Sequence, residues 1–137
     1  GLVTIENHHN FAWREEHDGR DLIVHRKGAI PASEGQLGVI PGSMATPGYV
    51  VRGRGCAASL RSAAHGAGPR FSRKVAKNEL GWQEARELLS RKGVTLLSGG
   101  IDETPLAYKD IQEVMAAQTD LVDIVARFMP TVVKMAP

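Results

Sequence analysis

The chain has 137 residues, of which 42% are hydrophobic and 23% charged, and its formal net charge at pH 7 is +2. This length and composition are typical of one folded domain with a real core, and they exclude an intrinsically disordered chain. No apolar run approaches the roughly 20 residues of a membrane-spanning helix, and the single cysteine, Cys56, excludes an internal disulfide. We therefore expect a protein of the reducing cytoplasm with no membrane partner.

The first third of the chain is predicted to form strands joined by tight turns. Strands over 11–17 and 22–26 flank an Asp18-Gly19 step, which is a strong hairpin signal. Short apolar runs at 38–40 and 49–51 are bounded by proline and glycine, and they predict two further strands. The chain starts at Gly1 and leads directly into strand-like sequence, so we expect a piece of a longer protein.

The rest of the chain is predicted to be mainly helical. Apolar residues recur at helical intervals from Ser72 to Leu89, with Gly93 as a stop, and a strand follows over 94–97. The spacing of apolar residues predicts another helix from Asp110 to Pro130, and a strand over 131–135 closes the chain. The fold class is therefore predicted to be α+β, with strands early and helices late, in a single domain over 1–137.

One segment is basic throughout. Between Arg52 and Arg73 the chain carries five arginines and no aspartate or glutamate. Such a segment attracts the phosphates of a nucleotide or of a nucleic-acid backbone. A solvated loop with scattered positive charge is an equally good interpretation.

Two histidines, His8 and His9, stand between Asn7 and Asn10. In a strand their side chains would lie on opposite faces, so at most one of them could bind a given metal ion. Imidazole suits Mn, Fe, Ni or Zn, but one histidine is not a metal site by itself. The spacing alone favours a structural, hydrogen-bonded histidine.

Three further stretches contain residues suited to ligand chemistry. The loop over 41–49 is rich in small, turn-prone residues and could bring backbone amides close to a ligand. His65 lies in a run of glycine and alanine, which leaves its imidazole uncrowded for nucleophilic attack on phosphorus. Lys134 follows apolar residues near the carboxyl end. A connecting loop, a histidine in a turn and a solvated lysine are the alternatives.

Taken in chain order, seven fragments resemble the carboxy-terminal part of the RtcB family of RNA-splicing ligases. They are HN at 9–10, VHRKGA at 24–29, IPGSM at 40–44, HGAG at 65–68, SRK at 72–74, AYKD at 107–110 and VVK at 132–134. Each fragment is short, but their common order covers nearly the whole chain.

The resemblance implies a GTP- and Mn²⁺-dependent ligase that joins a 2′,3′-cyclic phosphate or 3′-phosphate RNA end to a 5′-hydroxyl end. In that family the HGAG histidine, here His65, attacks the α-phosphate of GTP and carries the guanylate. The guanylate then passes to the RNA 3′-phosphate, and the 5′-hydroxyl displaces GMP.

The resemblance also implies roles for other residues. His9 would be a manganese ligand, and Arg70 and Arg73 would contact RNA phosphate. The guanine-nucleotide site would comprise Asn10, Pro41, Gly42, Ser43, Met44, Gly48, Gly66, Ala67, Gly68, Tyr108 and Lys134.

The chain departs from the family at three points. Gly48 replaces a second serine of the nucleotide loop, and Pro69 replaces the arginine that commonly follows HGAG, with Arg70 one place later. The family's other metal ligands lie in an upstream half that this chain lacks, and Cys56 does not match the family's metal cysteine. We therefore expect the fragment to be inactive alone, and to self-associate through surface that the upstream half would cover. A guanine-nucleotide- or RNA-binding module without catalysis, or a truncated remnant, is the alternative.

Overall fold

The computed structural model describes residues 1–135, and its elements are of the mixed α+β type that the sequence predicts. Among those residues no helix is long and apolar enough to cross a membrane. In chain order the elements are β1 (Asn10–His17), β2 (Arg20–Lys27), β3 (Ala29–Pro31), β4 (Leu37–Ile40), β5 (Gly48–Gly53), β6 (Ser62–Ala64), α1 (Arg73–Glu79), α2 (Trp82–Arg91), β7 (Thr95–Ser98), α3 (Ile111–Ala117), β8 (Val122–Phe128) and β9 (Val132–Lys134).

The predicted hairpin is confirmed. β1 and β2 pair antiparallel, and the pairing of His17 with Arg20 leaves Asp18 and Gly19 as a two-residue loop. Both loop residues have positive φ, +51° and +73°, as a tight turn of this kind requires.

The core lies between two small antiparallel sheets and a helix. One sheet has the strand order β4-β5-β8, and the other pairs β3 with β6. Helix α3 begins at the Asp110 cap, whose carboxylate accepts a hydrogen bond from the Gln112 N–H at 2.8 Å. The largest fully buried apolar residues of this core are Ile30, Ile40, Val51 and Ile111.

The helical segment that follows Ser72 divides into α1 and α2. The Ser72 hydroxyl accepts from the Val75 N–H at 3.3 Å and starts α1. Leu80 and Gly81 both have extended backbone angles, which separate the two helices. A second, smaller core forms where α2 and β7 pack against Met44 and Ala45.

The helix predicted from Asp110 to Pro130 is wrong beyond Ala117. Gln118 leaves the helical conformation, and residues 122–128 form β8, which pairs with β5. The apolar residues at 121, 124, 125 and 128 fit a helical repeat, but β-branched Val122, Ile124 and Val125 suit a strand beside β5. The closing strand is confirmed as β9, which runs parallel to β7.

Candidate functional site

His65 is held at the end of β6 by two segments distant in sequence. Its N–H donates to the Gly28 carbonyl at 3.3 Å, extending the β3–β6 pairing by one residue. The preceding Ala64 N–H donates to the side-chain oxygen of buried Gln118 at 2.9 Å. The backbone that carries the imidazole is therefore fixed on both sides.

The rings of His9 and His65 stack, with centroids 4.9 Å apart and an interplanar angle of 18°. Gly28 joins the two residues, because its N–H donates to the His9 carbonyl at 2.8 Å while its carbonyl accepts from His65. It has φ of +73°, and a Cβ there would lie 3.6 Å from the His65 Nδ1. The fold thus brings together the predicted metal ligand and the predicted nucleophile.

His8 has a different environment. It lies before β1 and packs against Phe11 and Trp13, at centroid distances of 5.7 and 6.1 Å. Only one imidazole of the pair therefore stacks on His65.

A cavity of about 260 Å³ opens beside His65 and is formed by three motif segments and the end of the chain. Its lining residues are Pro41, Gly42, Ser43, His65, Gly66, Ala67, Gly68, Pro69, Tyr108 and Met135. Most residues of the predicted nucleotide site thus share one cavity. The chain segments that supply them are far apart in sequence.

The wall that follows His65 presents backbone rather than side chains. A Cβ at Gly66 would meet only the Pro41 carbonyl oxygen, at 3.5 Å, and one at Gly68 would meet nothing within 4 Å. A bulky ligand can therefore approach the main chain here.

The loop after β4 is closed on itself. The Ser43 N–H donates to the Thr46 Oγ1 at 2.6 Å, and the two hydroxyl oxygens lie 2.8 Å apart. Gly42 is required for this closure, because a Cβ there would lie 2.3 Å from the Pro47 carbonyl oxygen. Met44 is 1% exposed and belongs to the second core, so it does not line the cavity.

Pro69 forms an isolated antiparallel bridge with Tyr108. Residues on either side of the bridge make its hydrogen bonds. The Arg70 N–H donates to the Ala107 carbonyl at 2.8 Å, and the Lys109 N–H donates to the Gly68 carbonyl at 3.0 Å. Because the bridge needs no N–H from residue 69, proline fits it without loss. This bridge holds the Tyr108 ring against the cavity.

The ionisation of Tyr108 is perturbed by its surroundings. Burial raises the pKa of its phenol, and the negative charge of Glu103 raises it further, while Arg73 opposes the shift. The phenol is therefore a hydrogen-bond donor at neutral pH.

Besides His9 and Met44, five predicted site residues lie outside the cavity lining. Arg70 is exposed and lines a neighbouring groove, and Arg73 is 87% exposed with its Nε 3.9 Å from the Asp102 carboxylate. Asn10 is exposed at the start of β1, and Lys134 is exposed on β9. Gly48 is buried under the Phe128 ring, where a Cβ would lie 2.3 Å from a ring carbon.

Residues 1–135 do not by themselves form a metal centre. No group of three or more His, Cys, Asp or Glu side chains in that range is placed to hold an ion. His9 and His65 supply two imidazoles, fewer than the five or six ligands that manganese prefers. Cys56 does not line the cavity, so it adds no ligand there.

Gly28 and Met135 also shape the site, and the sequence did not assign them roles. The sequence signal for Gly28 is a glycine between two strands, where a positive φ is common. In the loop over 41–49 the sequence predicts that the Ser43 and Thr46 hydroxyls add hydrogen bonds to a ligand, and in the structure the Thr46 Oγ1 accepts from the Ser43 N–H at 2.6 Å. Met135 reaches the cavity only because β9 pairs with β7, which the sequence does not reveal.

Comparison with known proteins leads to one class, the RNA-splicing ligases. The family model described as tRNA-splicing ligase RtcB matches residues 2–135. The chain belongs to the RtcB family.

Three curated relatives give the extent of the similarity. RNA-splicing ligase RtcB of Escherichia coli strain K12 is 43% identical over 124 residues, which cover 90% of this chain and 30% of the relative. The tRNA-splicing ligase RtcB of Nanoarchaeum equitans is 40% identical, over 96% of this chain and 33% of the relative. RNA-splicing ligase RtcB of Mycobacterium tuberculosis is 38% identical, over 89% of this chain and 34% of the relative. The chain thus spans about a third of the length of these relatives.

Proposed function

We propose that the chain is the carboxy-terminal part of an RNA ligase and that His65 is its guanylylated residue. The stacked position of His65, beside His9 and open to a cavity walled by glycine and alanine, carries this proposal. The names of the relatives support the reaction class, since each is called an RNA- or tRNA-splicing ligase. We place the activity in the cytoplasm, where the free Cys56 thiol would stay reduced.

The first step proposed is attack by a neutral imidazole nitrogen of His65 on the α-phosphorus of GTP. A nitrogen–phosphorus bond forms, the bond from that phosphorus to the bridging oxygen breaks, and pyrophosphate leaves with the electron pair. The proton of the other ring nitrogen is released to solvent or to the leaving group. In-line attack needs open space opposite the leaving group, and the small residues after His65 provide it.

The later steps transfer the guanylate to RNA. A 2′,3′-cyclic phosphate end must first be opened by water to give a 3′-phosphate. An oxygen of the RNA 3′-phosphate then attacks the phosphorus of the guanylate, and the bond to His65 breaks. The 5′-hydroxyl of the second RNA end then attacks the activated 3′-phosphate, and GMP leaves as the new phosphodiester forms.

The cavity lining supports nucleotide-binding roles for residues from three motifs. Backbone groups of 66–68 would meet the phosphate, the loop over 41–43 would form the opposite wall, and Tyr108 would pack beside the base. Roles for Asn10, Met44, Gly48 and Lys134 in the same site are proposed from the family resemblance alone.

Manganese would be shared with the upstream half of the protein. His9 would supply one imidazole, and the other ligands would come from the upstream half, because residues 1–135 contain no group of three or more His, Cys, Asp or Glu side chains placed to hold an ion. Bound there, the ion would neutralise charge on the phosphate. The fragment alone is therefore expected to be inactive or nearly so.

The surface supports packing against further protein. Ile124, Val125 and Phe128 of β8 are about half exposed, which is costly for apolar side chains on an edge strand. We propose that the upstream half covers them, and that the isolated chain covers them by self-association. Light scattering of the isolated chain should give a mass above 14.8 kDa. A monomeric mass at micromolar concentration would contradict self-association.

The second candidate is a guanine-nucleotide- or RNA-binding module without catalysis, or a remnant that binds nothing. The incomplete metal centre favours it. Titration of the isolated chain with GMP, with and without Mn²⁺, separates these possibilities by the shift in melting temperature. We expect the melting temperature to shift only when Mn²⁺ is present, because the negative charge of a phosphate beside the His9 and His65 imidazoles needs a cation to neutralise it. An equal shift without metal would favour the module, and none under either condition would favour the remnant.

A further inference from the structure

A second concavity lies beyond Tyr108, and four positively charged side chains line it. This groove, of about 410 Å³, includes Arg70, Lys92, Lys109, Arg127, Tyr108 and Met129 among its lining residues. The four cations come from the loop after His65, the end of α2, the approach to α3 and strand β8. The fold has therefore gathered like charges from four separate segments.

These charges are not neutralised by neighbouring carboxylates. Within residues 1–135 none of the four has an acidic group within 4.0 Å, in contrast to Arg26, Arg54 and Arg73. Asp110 is the acid in the groove lining, and its carboxylate caps α3 by accepting from Gln112 at 2.8 Å. Four clustered cations beside one acid create a positive potential that attracts anions.

Apolar and aromatic side chains also line the groove. Pro47, Pro105 and Met129 lie along it, and half-buried Tyr108 forms its border with the His65 cavity. Cations beside an aromatic surface are the arrangement that binds single-stranded nucleic acid, with phosphates on the charges and a base stacked on the ring. A duplex keeps its bases inside, so it cannot place one on Tyr108.

The groove also has a defined end. Past Arg70 and Lys109 it continues into a depression of about 480 Å³ that is lined by Asp110 and Glu113. The additional carboxylate, that of Glu113, repels phosphate. The positively charged part of the groove therefore extends from Arg70 and Lys109 toward Lys92 and Arg127.

We propose that this groove binds the sugar–phosphate backbone of a single-stranded polynucleotide. Tyr108 borders both concavities, so the strand would pass on its groove side while the guanine base lies on its cavity side, and the strand end would reach His65. The direction of the strand rests on the proposed function, but binding itself does not. The occupied groove would position an RNA end for transfer.

The test is binding of a fluorescein-labelled oligouridylate of twelve nucleotides to the whole chain, measured by anisotropy over a series of salt concentrations. GTP and Mn²⁺ are omitted, so a failure of guanylylation leaves this measurement unaffected. The groove variant is Lys92→Gln/Arg127→Gln. The matched control, Arg20→Gln/Arg86→Gln, removes two exposed cations outside the groove.

The groove variant is expected to bind about ten-fold more weakly near 0.1 M salt, and the slope of log K against log salt should fall by about 1.4. The control should retain wild-type binding. All four substituted side chains are exposed, so the fold should persist; Lys92→Ala/Arg127→Ala serves as a second groove variant. Unchanged binding by the groove variants, an equal loss in the control, or equally tight binding of a duplex would overturn the proposal.

Discussion

Replacement of His65 by alanine is expected to abolish transfer of label from α-labelled GTP to the protein, by at least about a thousand-fold. The loss follows from the proposed chemistry, since His65 is the one histidine that lines the cavity among residues 1–135. The measurement uses a chimera in which this chain replaces the matching region of the Escherichia coli relative. The chimera supplies the upstream half, and Mn²⁺ is added.

The control for this experiment is His25→Ala. His25 is exposed on β2 and does not line the cavity, so it should keep wild-type labelling. Labelling that persists in the His65 variant would remove His65 as the nucleophile. Equal loss in both variants would mean that the substitutions damage the fold, and labelling absent from the unmodified chimera would contradict the proposed function.

Replacement of Arg26 by leucine is expected to lower the free energy of unfolding by about 3 kcal/mol. Arg26 is 2% exposed and donates to both Glu15 carboxylate oxygens, at 2.7 and 3.0 Å, and to the Ser62 Oγ at 2.8 Å. Its loss leaves the carboxylate of Glu15 without its main partner. Because Ser62 starts β6, the change also loosens the strand that ends beside His65. Urea unfolding of the isolated chain measures the effect.

Two comparisons make this prediction specific. Arg14→Leu breaks an exposed ion pair with Asp21 in the same hairpin and should leave the urea midpoint nearly unchanged. Arg26→Leu/Glu15→Leu should recover part of the loss, because no buried charge then lacks a partner. A single variant as stable as the wild type would show that the buried pair contributes nothing.

The same pair predicts a pH dependence. Hydrogen bonding from Arg26 lowers the pKa of Glu15, with His17 adding to the effect and burial opposing it. A carboxyl whose pKa is lowered by folding stabilises the protein above its unfolded value, about 4.3, and loses that contribution as pH falls through the folded value. As the pH falls below 5, the wild type should therefore lose more of its free energy of unfolding than Arg26→Leu loses. Equal losses would contradict the pairing.

Local signals in the sequence predicted the early strands correctly. Asp18-Gly19 fixes a turn that few other dipeptides can form, so the hairpin is determined by two residues. The segment over 121–128 lacks such a signal. Its apolar spacing fits a helix and a strand equally, and the outcome depends on pairing with β5, which is a contact between distant segments.

The candidate site was predictable in its motifs but not in its geometry. Family resemblance pointed to His9 and His65, and the structure places their rings in contact. The contact is made through Gly28 and depends on β3 pairing with β6. Local sequence cannot show that Met135, which follows β9, lines the cavity while Lys134 at the end of β9 is exposed.

The departure at Pro69 has a physical explanation in the fold. The bridge to Tyr108 uses N–H groups of Arg70 and Lys109 and none from residue 69, so proline costs no hydrogen bond. Arg70 then follows the bridge and lies in the cationic groove.

The most direct measurement of the central proposal is mapping of the covalent adduct. The chimera is incubated with GTP and Mn²⁺, digested under alkaline conditions that preserve a phosphoramidate, and its peptides are fragmented in a mass spectrometer. One guanylate attached to His65 is the result expected if His65 is the nucleophile. A guanylate on His9, on a lysine such as Lys74, or on the upstream portion would contradict it.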